Sequence, residues 1–258
     1  MTQMTRRPSL FAHIVSKLGA QIVAGAFEPS GMLPPEPQLL AQLGASRSVV
    51  REALRVLSEK GMLDALPKVG IRTRPRAHWN LMDIDVLNWI WNHGRREDYV
   101  NDFLEFRLTF EPMASFQAAL RADPEAREEI MDLCEALIRA EAALRNGAAH
   151  EQAVEADLAF HGAIFRASGN HLMSHLGAMV IHMMRLQVLA TTEEPGSFAW
   201  GLSLHQGVAE AILRGDAEQA YSISQQLVWM PYANYVKHVH SKPRLPYLPG
   251  QSEPVLSR

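Results

Sequence analysis

The sequence contains one cysteine, Cys134, in 258 residues. This excludes a disulfide within the chain and fits a reducing compartment. It has no apolar run of 18 residues, so no membrane-spanning helix is expected. Residues 1–8 lack the apolar core of a signal peptide, which makes a cytoplasmic location the expectation. Excess charge is also lacking: the formal net is −3, which taken alone speaks against a nucleic-acid partner. What is present reverses that last exclusion. Residues 1–76 carry 11 Lys+Arg against 5 Asp+Glu, a net of +6, and residues 77–258 carry 14 against 23, a net of −9. A basic N-terminal module on an acidic body suggests that the N-terminus alone meets phosphate. The remaining composition, 47% hydrophobic and 21% charged, is that of a soluble globular protein with room for one large domain or two smaller ones.

Ser9 is a suitable N-cap for a helix from Leu10 to about Ala24, with Ile14, Leu18 and Ile22 at helical spacing. Pro29-Ser30-Gly31 ends that segment. A short helix is expected over 36–42, a turn at Leu43-Gly44-Ala45, and a further helix capped by Ser46. In that helix Val50, Ala53, Leu54 and Leu57 make one apolar stripe, and Gly61 stops it at the C′ position. Leu63–Leu66 and Ile71–Arg74, joined by Pro67-Lys68-Val69-Gly70, read as a β-hairpin wing. The basic stretch Arg72-Thr73-Arg74-Pro75-Arg76 marks a boundary. Beyond it strand signals vanish, and helices are expected at about 83–93, 97–122, 124–146, 150–168, 171–190, 198–214 and 216–238. The proline-rich end from Lys242 reads as disordered. The expected fold is therefore mainly α: a winged helix-turn-helix over 1–76, a linker helix over 77–96, an all-helical antiparallel bundle over 97–240 and a disordered tail over 241–258.

Opposite the apolar stripe of the second helix lie Arg47, Ser48, Arg51 and Arg55. An arginine forks onto guanine O6 and N7, and one good bidentate pair discriminates by roughly 1–3 kcal/mol. Ser46 and Ser48 can donate to phosphate at the helix start, and Lys68 and Gly70 in the wing turn can approach the backbone or the minor groove. The plain alternative is a solvated basic face.

The pattern Leu33-Pro34-Pro35-Glu36, Leu43-Gly44-Ala45-Ser46-Arg47, Val50-Arg51-Glu52-Ala53-Leu54-Arg55, Glu59-Lys60-Gly61-Met62-Leu63 resembles the GntR family of bacterial winged-helix regulators over residues 10–73. The resemblance implies that Arg47 and Arg51 read bases or clamp the phosphates beside them. Pro37 stands where the family usually has an arginine, so one usual DNA contact is missing.

The helical remainder resembles the FadR-type subdivision with its FCD ligand-binding domain, through Glu155-Ala156-Asp157-Leu158-Ala159-Phe160-His161, Ser168-Gly169-Asn170 and the stretch opening at His205. Asp157 and His161, four apart, share a helix face and can bind one cation, with His205 from another helix completing the set. The pair also fits an ordinary helix contact without a metal. In this domain class a third histidine usually follows; here that register falls on Leu227, so Zn²⁺ or a similar divalent ion would have three protein ligands plus water or an effector oxygen. Arg107 and Glu111 are one turn apart: either a local ion pair, or an arginine facing the cavity that forks onto a ligand carboxylate. Arg185 and Gln187 are further pocket candidates, with Thr191, Thr192 and Trp200 behind them. His171, His175 and His182 lack a companion carboxylate. His238 and His240 are expected to be solvated, Met183-Met184 to fill core, and Cys134 to be a small buried hydrophobe.

The segment Trp79–Trp89 is similar to the linker of sugar-acid catabolism regulators of the galactonate-repressor type. This implies an aldonate effector. The expectation is a homodimeric regulator that is not an enzyme and has no membrane partner. It binds double-stranded operator DNA, probed by two recognition helices at two half-sites, and a small carboxylate releases it. Alternatives are a response to another organic acid of lactate, dicarboxylate or fatty-acid type, a metal-dependent hydrolase or lyase on Asp157, His161 and His205, and an architectural DNA binder without a ligand.

Overall fold

A computed structural model describes residues 9–95, 97–191 and 201–238, and it divides into two compact units, Met1–Arg96 and Glu97–Arg258. Among the described residues no helix is long and apolar enough to cross a membrane.

In the first unit, α1 (Leu10–Val23) starts where Ser9 Oγ accepts the Ala12 N–H at 3.2 Å. It buries Ile14, Val15, Leu18, Ile22 and Val23. α2 (Glu36–Leu43) ends on Gly44 in the left-handed region, and α3 (Arg47–Glu59) follows. α3 buries Val50, Ala53, Leu54 and Leu57, the stripe read from sequence. Its end is a double closure: the Gly61 N–H donates to Ser58 O at 2.9 Å and the Met62 N–H to Leu57 O at 3.0 Å. Gly61 has φ 77°, and a Cβ there would lie 2.2 Å from the His78 carbonyl oxygen, so glycine is required twice over.

The wing is β1 (Leu63–Leu66) antiparallel to β2 (Gly70–Thr73), with Leu63 opposite Thr73. It has a partner the sequence did not announce. Met32 bridges Arg72, the Leu33 N–H donates to Ile71 O at 2.9 Å and the Thr73 N–H to Gly31 O at 2.8 Å. β2 is thus paired on both edges. A single bridge residue between Pro29 and Pro34 is too short to show alternation. α4 (Ile84–His93), read as a linker, packs on α1 within the same unit. A Cβ on Gly19 would lie 2.4 Å from the Trp89 ring, so only glycine lets the indole lie flat on α1. Lys60 ties the end of α3 to the start of α4 through Asp83 at 2.6 Å and Asp85 at 2.9 Å.

The second unit is helical throughout its described residues: α5 (Glu97–Arg121), α6 (Pro124–Arg145), α7 (His150–Ala167), α8 (His171–Thr191), α9 (Leu202–Arg214) and α10 (Ala217–His238). α5 packs on α7, α9 and α10, and α7 packs on α5, α6 and α8. Phe160, Phe165, Ile130, Leu137, Met184 and Ile212 are fully buried between them, and Cys134 and Met183 are buried as expected. Arg127 donates to Ala119 O (2.8 Å), Ala122 O (3.0 Å) and Leu213 O (3.1 Å), closing the carboxyl ends of α5 and α9 at once. Thr192, Trp200, His240 and the tail 241–258 lie outside the described residues.

Candidate functional site

The polar face of α3 is presented as the sequence predicts. The side chains of Arg47, Arg51 and Arg55 are 67%, 64% and 58% exposed. None of the three is idle. Arg51 donates through Nε and Nη2 to the two carboxylate oxygens of Glu36, each at 3.0 Å, and Arg47 Nε lies 3.2 Å from the same carboxylate. The hydrogen bond from Arg51 holds Glu36 below its ordinary range. Arg55 is held between Glu52, which accepts from Nε at 3.1 Å, and Glu59. Ser46 occupies the N-cap position of α3, but its side chain does not cap the helix. Its hydroxyl pairs instead with that of Ser48 at 3.0 Å, which corrects the capping role expected for it. Lys68 (φ 61°) and Gly70 (φ 138°) form the exposed wing turn. Glu36 belongs to the family-like motif, yet its hold on Arg51 is invisible to helix periodicity because 15 residues separate them.

In the second unit, α5, α7 and α9 bring Arg107, Glu111, Asp157, His161 and His205 together, each no more than 6% exposed. Arg107 Nε donates to Glu111 Oε1, and the other Glu111 oxygen lies 3.0 Å from His161 Nδ1. His161 Nε2 is 3.8 Å from Asp157 Oδ1, and His205 Nε2 is 3.0 Å from the same oxygen. His205 Nδ1 lies 2.7 Å from the Gly201 carbonyl. Phe160 sits edge-on to both imidazoles, with ring centroids 5.5 and 5.3 Å away.

Tautomers follow from these partners. A carbonyl oxygen only accepts, so His205 Nδ1 carries a proton and Nε2 is the ring atom turned to Asp157. That Nε2 is buried, and its near neighbour is the Asp157 carboxylate at 3.0 Å. Glu111 likewise accepts from His161 Nδ1. Burial pushes the Glu111 carboxyl up, but Arg107 and His161 outweigh it and hold it at about 2. Burial also disfavours Asp157 as an anion; His205, His161 and Arg107 prevail and lower it. For His161, burial works against the charged ring and Glu111 and Asp157 for it, with a net shift upward. The result is three potential ligand atoms, one each from Asp157, His161 and His205, all within 4.8 Å of one another; the imidazole nitrogens would give up a proton to a cation that binds there. A buried imidazole nitrogen beside a carboxylate oxygen and a second imidazole is a donor set that suits a divalent cation such as Zn²⁺. Leu227 and the anchored edge of His205 both lie against Gly201: a Cβ there would meet His205 Cε1 at 3.2 Å and Leu227 Cδ1 at 3.3 Å. Leu227 is buried, so an apolar side chain stands at this register of α10.

Gln187 is buried on α8. Arg185 is not brought into the cluster; it spans from α8 to Glu155 on α7, with 38% of its side chain exposed. The contacts that organise the cluster, Glu111 to His161 and Gly201 to His205, escaped the sequence. The first joins residues 50 positions apart, and the second uses a backbone carbonyl.

Residues 10–72 match the bacterial regulatory proteins of the gntR family, and residues 102–228 match the FCD domain. An Escherichia coli protein named uncharacterized HTH-type transcriptional regulator YieP is 29% identical over 89% of this chain and 96% of its own. The galactonate operon transcriptional repressor of the same species is 27% identical over 80% of this chain and 88% of its own. Its putative L-lactate dehydrogenase operon regulatory protein is 30% identical over 80% and 79%. Among solved structures, the Lar protein of Listeria monocytogenes superimposes with a TM-score of 0.51 at 15% identity over 89% of this chain and 99% of that one, a likeness of fold. With a basic winged helix-turn-helix in one unit, a helical ligand-domain scaffold in the other and relatives that share both, the chain belongs to the GntR family of bacterial transcriptional regulators, in the group that carries an FCD domain.

Proposed function

We propose that this regulator is a homodimeric repressor that leaves its operator when a small 2-hydroxy carboxylate, an aldonate in the first instance, enters the buried cluster of the second unit. The observation that carries the reading is the adjacency of a buried arginine, Arg107, to three potential cation ligands on Asp157, His161 and His205. A 2-hydroxy acid presents matching chemistry: a carboxylate for the guanidinium, and a carboxylate–hydroxyl pair able to chelate a metal ion. Galactonate and lactate, named in two of the relatives, are both 2-hydroxy acids. A bound divalent ion would be held by Asp157, His161 and His205 and would supply Lewis-acid attraction for the effector's oxygens. Arg107 orients the carboxylate, Phe160 walls off one side of both imidazoles, and Leu227 offers the ion no ligand. Gln187 is a further candidate contact; Arg185, occupied by Glu155, is a weaker one.

On the DNA side, Arg47 and Arg51 exchange Glu36 for base edges or phosphate. Ser46, Ser48 and Arg55 contact the backbone at the start and along the flank of α3, and Lys68 and Gly70 meet the DNA at the wing tip. The effector needs only to favour a conformation in which two recognition helices no longer match two half-sites.

The test is fluorescence anisotropy of the full chain on DNA from upstream of its own gene, at physiological salt, with Zn²⁺ and a panel of aldonates, uronates, lactate and dicarboxylates. The expected result is tight binding to that DNA over random DNA and release by one 2-hydroxy acid, lost in Arg107→Lys. Tight specific binding that no acid in the panel changes would contradict the effector class.

A further inference from the structure

We propose that Glu111 is the positioning residue that joins the two halves of this site: it fixes His161 with Nε2 turned toward Asp157 and His205, and through Arg107 it links that orientation to whatever anion the guanidinium holds. The inference rests on the cation reading given above.

The two imidazoles are anchored by the same atom, Nδ1, but by unlike partners. His205 is anchored by the Gly201 carbonyl at 2.7 Å, a neutral backbone acceptor. His161 is anchored by a buried carboxylate, Glu111, at 3.0 Å, and the other oxygen of that carboxylate is engaged by Arg107. A carboxylate on the far nitrogen of an imidazole fixes the ring's orientation and raises the basicity of the ligating nitrogen, and losing such a partner typically costs 10–100-fold in metal affinity. Both Glu111 oxygens are engaged inside the protein, so its role is to hold its neighbours rather than to meet an effector. The shared carboxylate also has a direction of influence. An anion that draws the Arg107 guanidinium toward itself leaves Glu111 charge less compensated. Glu111 then accepts more strongly from His161, and Nε2 becomes a better ligand. Anion and cation would favour each other's binding, reciprocally.

The experiment uses the full-length chain and Co²⁺ as probe, read by its visible absorption band and by titration. Four proteins are compared: wild type, Glu111→Gln, Glu111→Leu and Arg107→Met, each checked for helical content and a cooperative thermal transition. Wild type is expected to bind Co²⁺ with a tetrahedral-type spectrum. Glu111→Leu is expected to bind it 10–100-fold more weakly with an altered band. Glu111→Gln, whose amide oxygen still accepts from Nδ1, is expected to fall between the two. Arg107→Met is expected to bind Co²⁺ at least as tightly as wild type, because Glu111 is then left to His161 alone. If Arg107→Met does not fold, Arg107→Gln, which also removes the charge, gives the same comparison. Equal Co²⁺ affinity in wild type and folded Glu111→Leu would overturn the positioning role and leave the cation site standing. Equal weakening by the Glu111 and Arg107 variants would reduce the pair to a structural brace and also overturn it. Absence of Co²⁺ binding in wild type would overturn the cation reading and this inference with it.

Discussion

On α3, Arg47 and Arg51 lean on Glu36 with 67% and 64% of their side chains exposed; on α5, Arg107 leans on Glu111 with 7% and 3% exposed. The chemistry is the same and the surroundings reverse its meaning. In water an arginine–carboxylate pair contributes little to stability and exchanges readily, so under the proposed function Glu36 would keep two guanidinium groups in order and yield them to a phosphate or base edge. Out of water the pair does not come apart unless another anion takes up the guanidinium, so in its absence Arg107 and Glu111 fix one geometry and pass it to His161. One unit stores its arginines for exchange; the other uses one to define a shape.

The contrast breaks most visibly if single partners are removed. Arg107→Leu is expected to lower the stability of the second unit by about 3 kcal/mol, read by urea denaturation, because Glu111 loses its cation inside the protein. Arg51→Ala should leave the thermal midpoint where it is and weaken binding to the operator about 10- to 100-fold in anisotropy titrations. Comparable stability losses in both variants would erase the distinction.

Glu141 sharpens the contrast from the other side. It is fully buried on the core stripe of α6 shared with Ile130, Cys134 and Leu137, and both its carboxylate oxygens lack a hydrogen bond. Arg145 Nε lies 3.7 Å from it, on a side chain that is 59% exposed. A carboxylate buried on these terms costs stability, so Glu141→Met is expected to raise it by about 1–3 kcal/mol in the same denaturation experiment. A loss of stability instead would mean that the carboxylate has a structural partner in solution.

Periodicity carried much of this architecture. The apolar stripe of α3, the glycine stop at Gly61 and the start of α6 on Pro124 behind its Asp123 cap are local events, encoded within four or five residues, and they were legible. So was the helix-face pairing of Asp157 with His161. What sequence did not disclose depends on distant partners or on competition between neighbours. The bridge at Met32 exists only because β2 offers it an edge. Ser46 has the sequence of a cap, but its hydroxyl finds Ser48 first. Glu36 with Arg51, and Glu111 with His161, are encounters produced by the fold, and no window along the chain contains both partners.

The smallest expected effect concerns Cys134. Burial pushes its thiol up to about 11. The folded thiol therefore ionises at higher pH than the unfolded one, whose ordinary value is 9.0. The unfolded chain gains the charged form first, so stability is unaffected below about pH 9 and declines as pH rises above it. At pH 8 an alkylating reagent should label Cys134 only as fast as the second unit opens; immediate stoichiometric labelling would contradict its burial.

The central claim is that the buried cluster is organised in advance, with both imidazoles anchored at Nδ1 and both Nε2 atoms facing Asp157. Histidine-selective ¹⁵N NMR of the full chain, before and after one equivalent of Zn²⁺, tests it most directly. The account predicts that His161 and His205 keep their protons on Nδ1 throughout and that Zn²⁺ shifts their Nε2 resonances. Coordination through Nδ1, or Zn²⁺ that leaves both rings unperturbed, would contradict it.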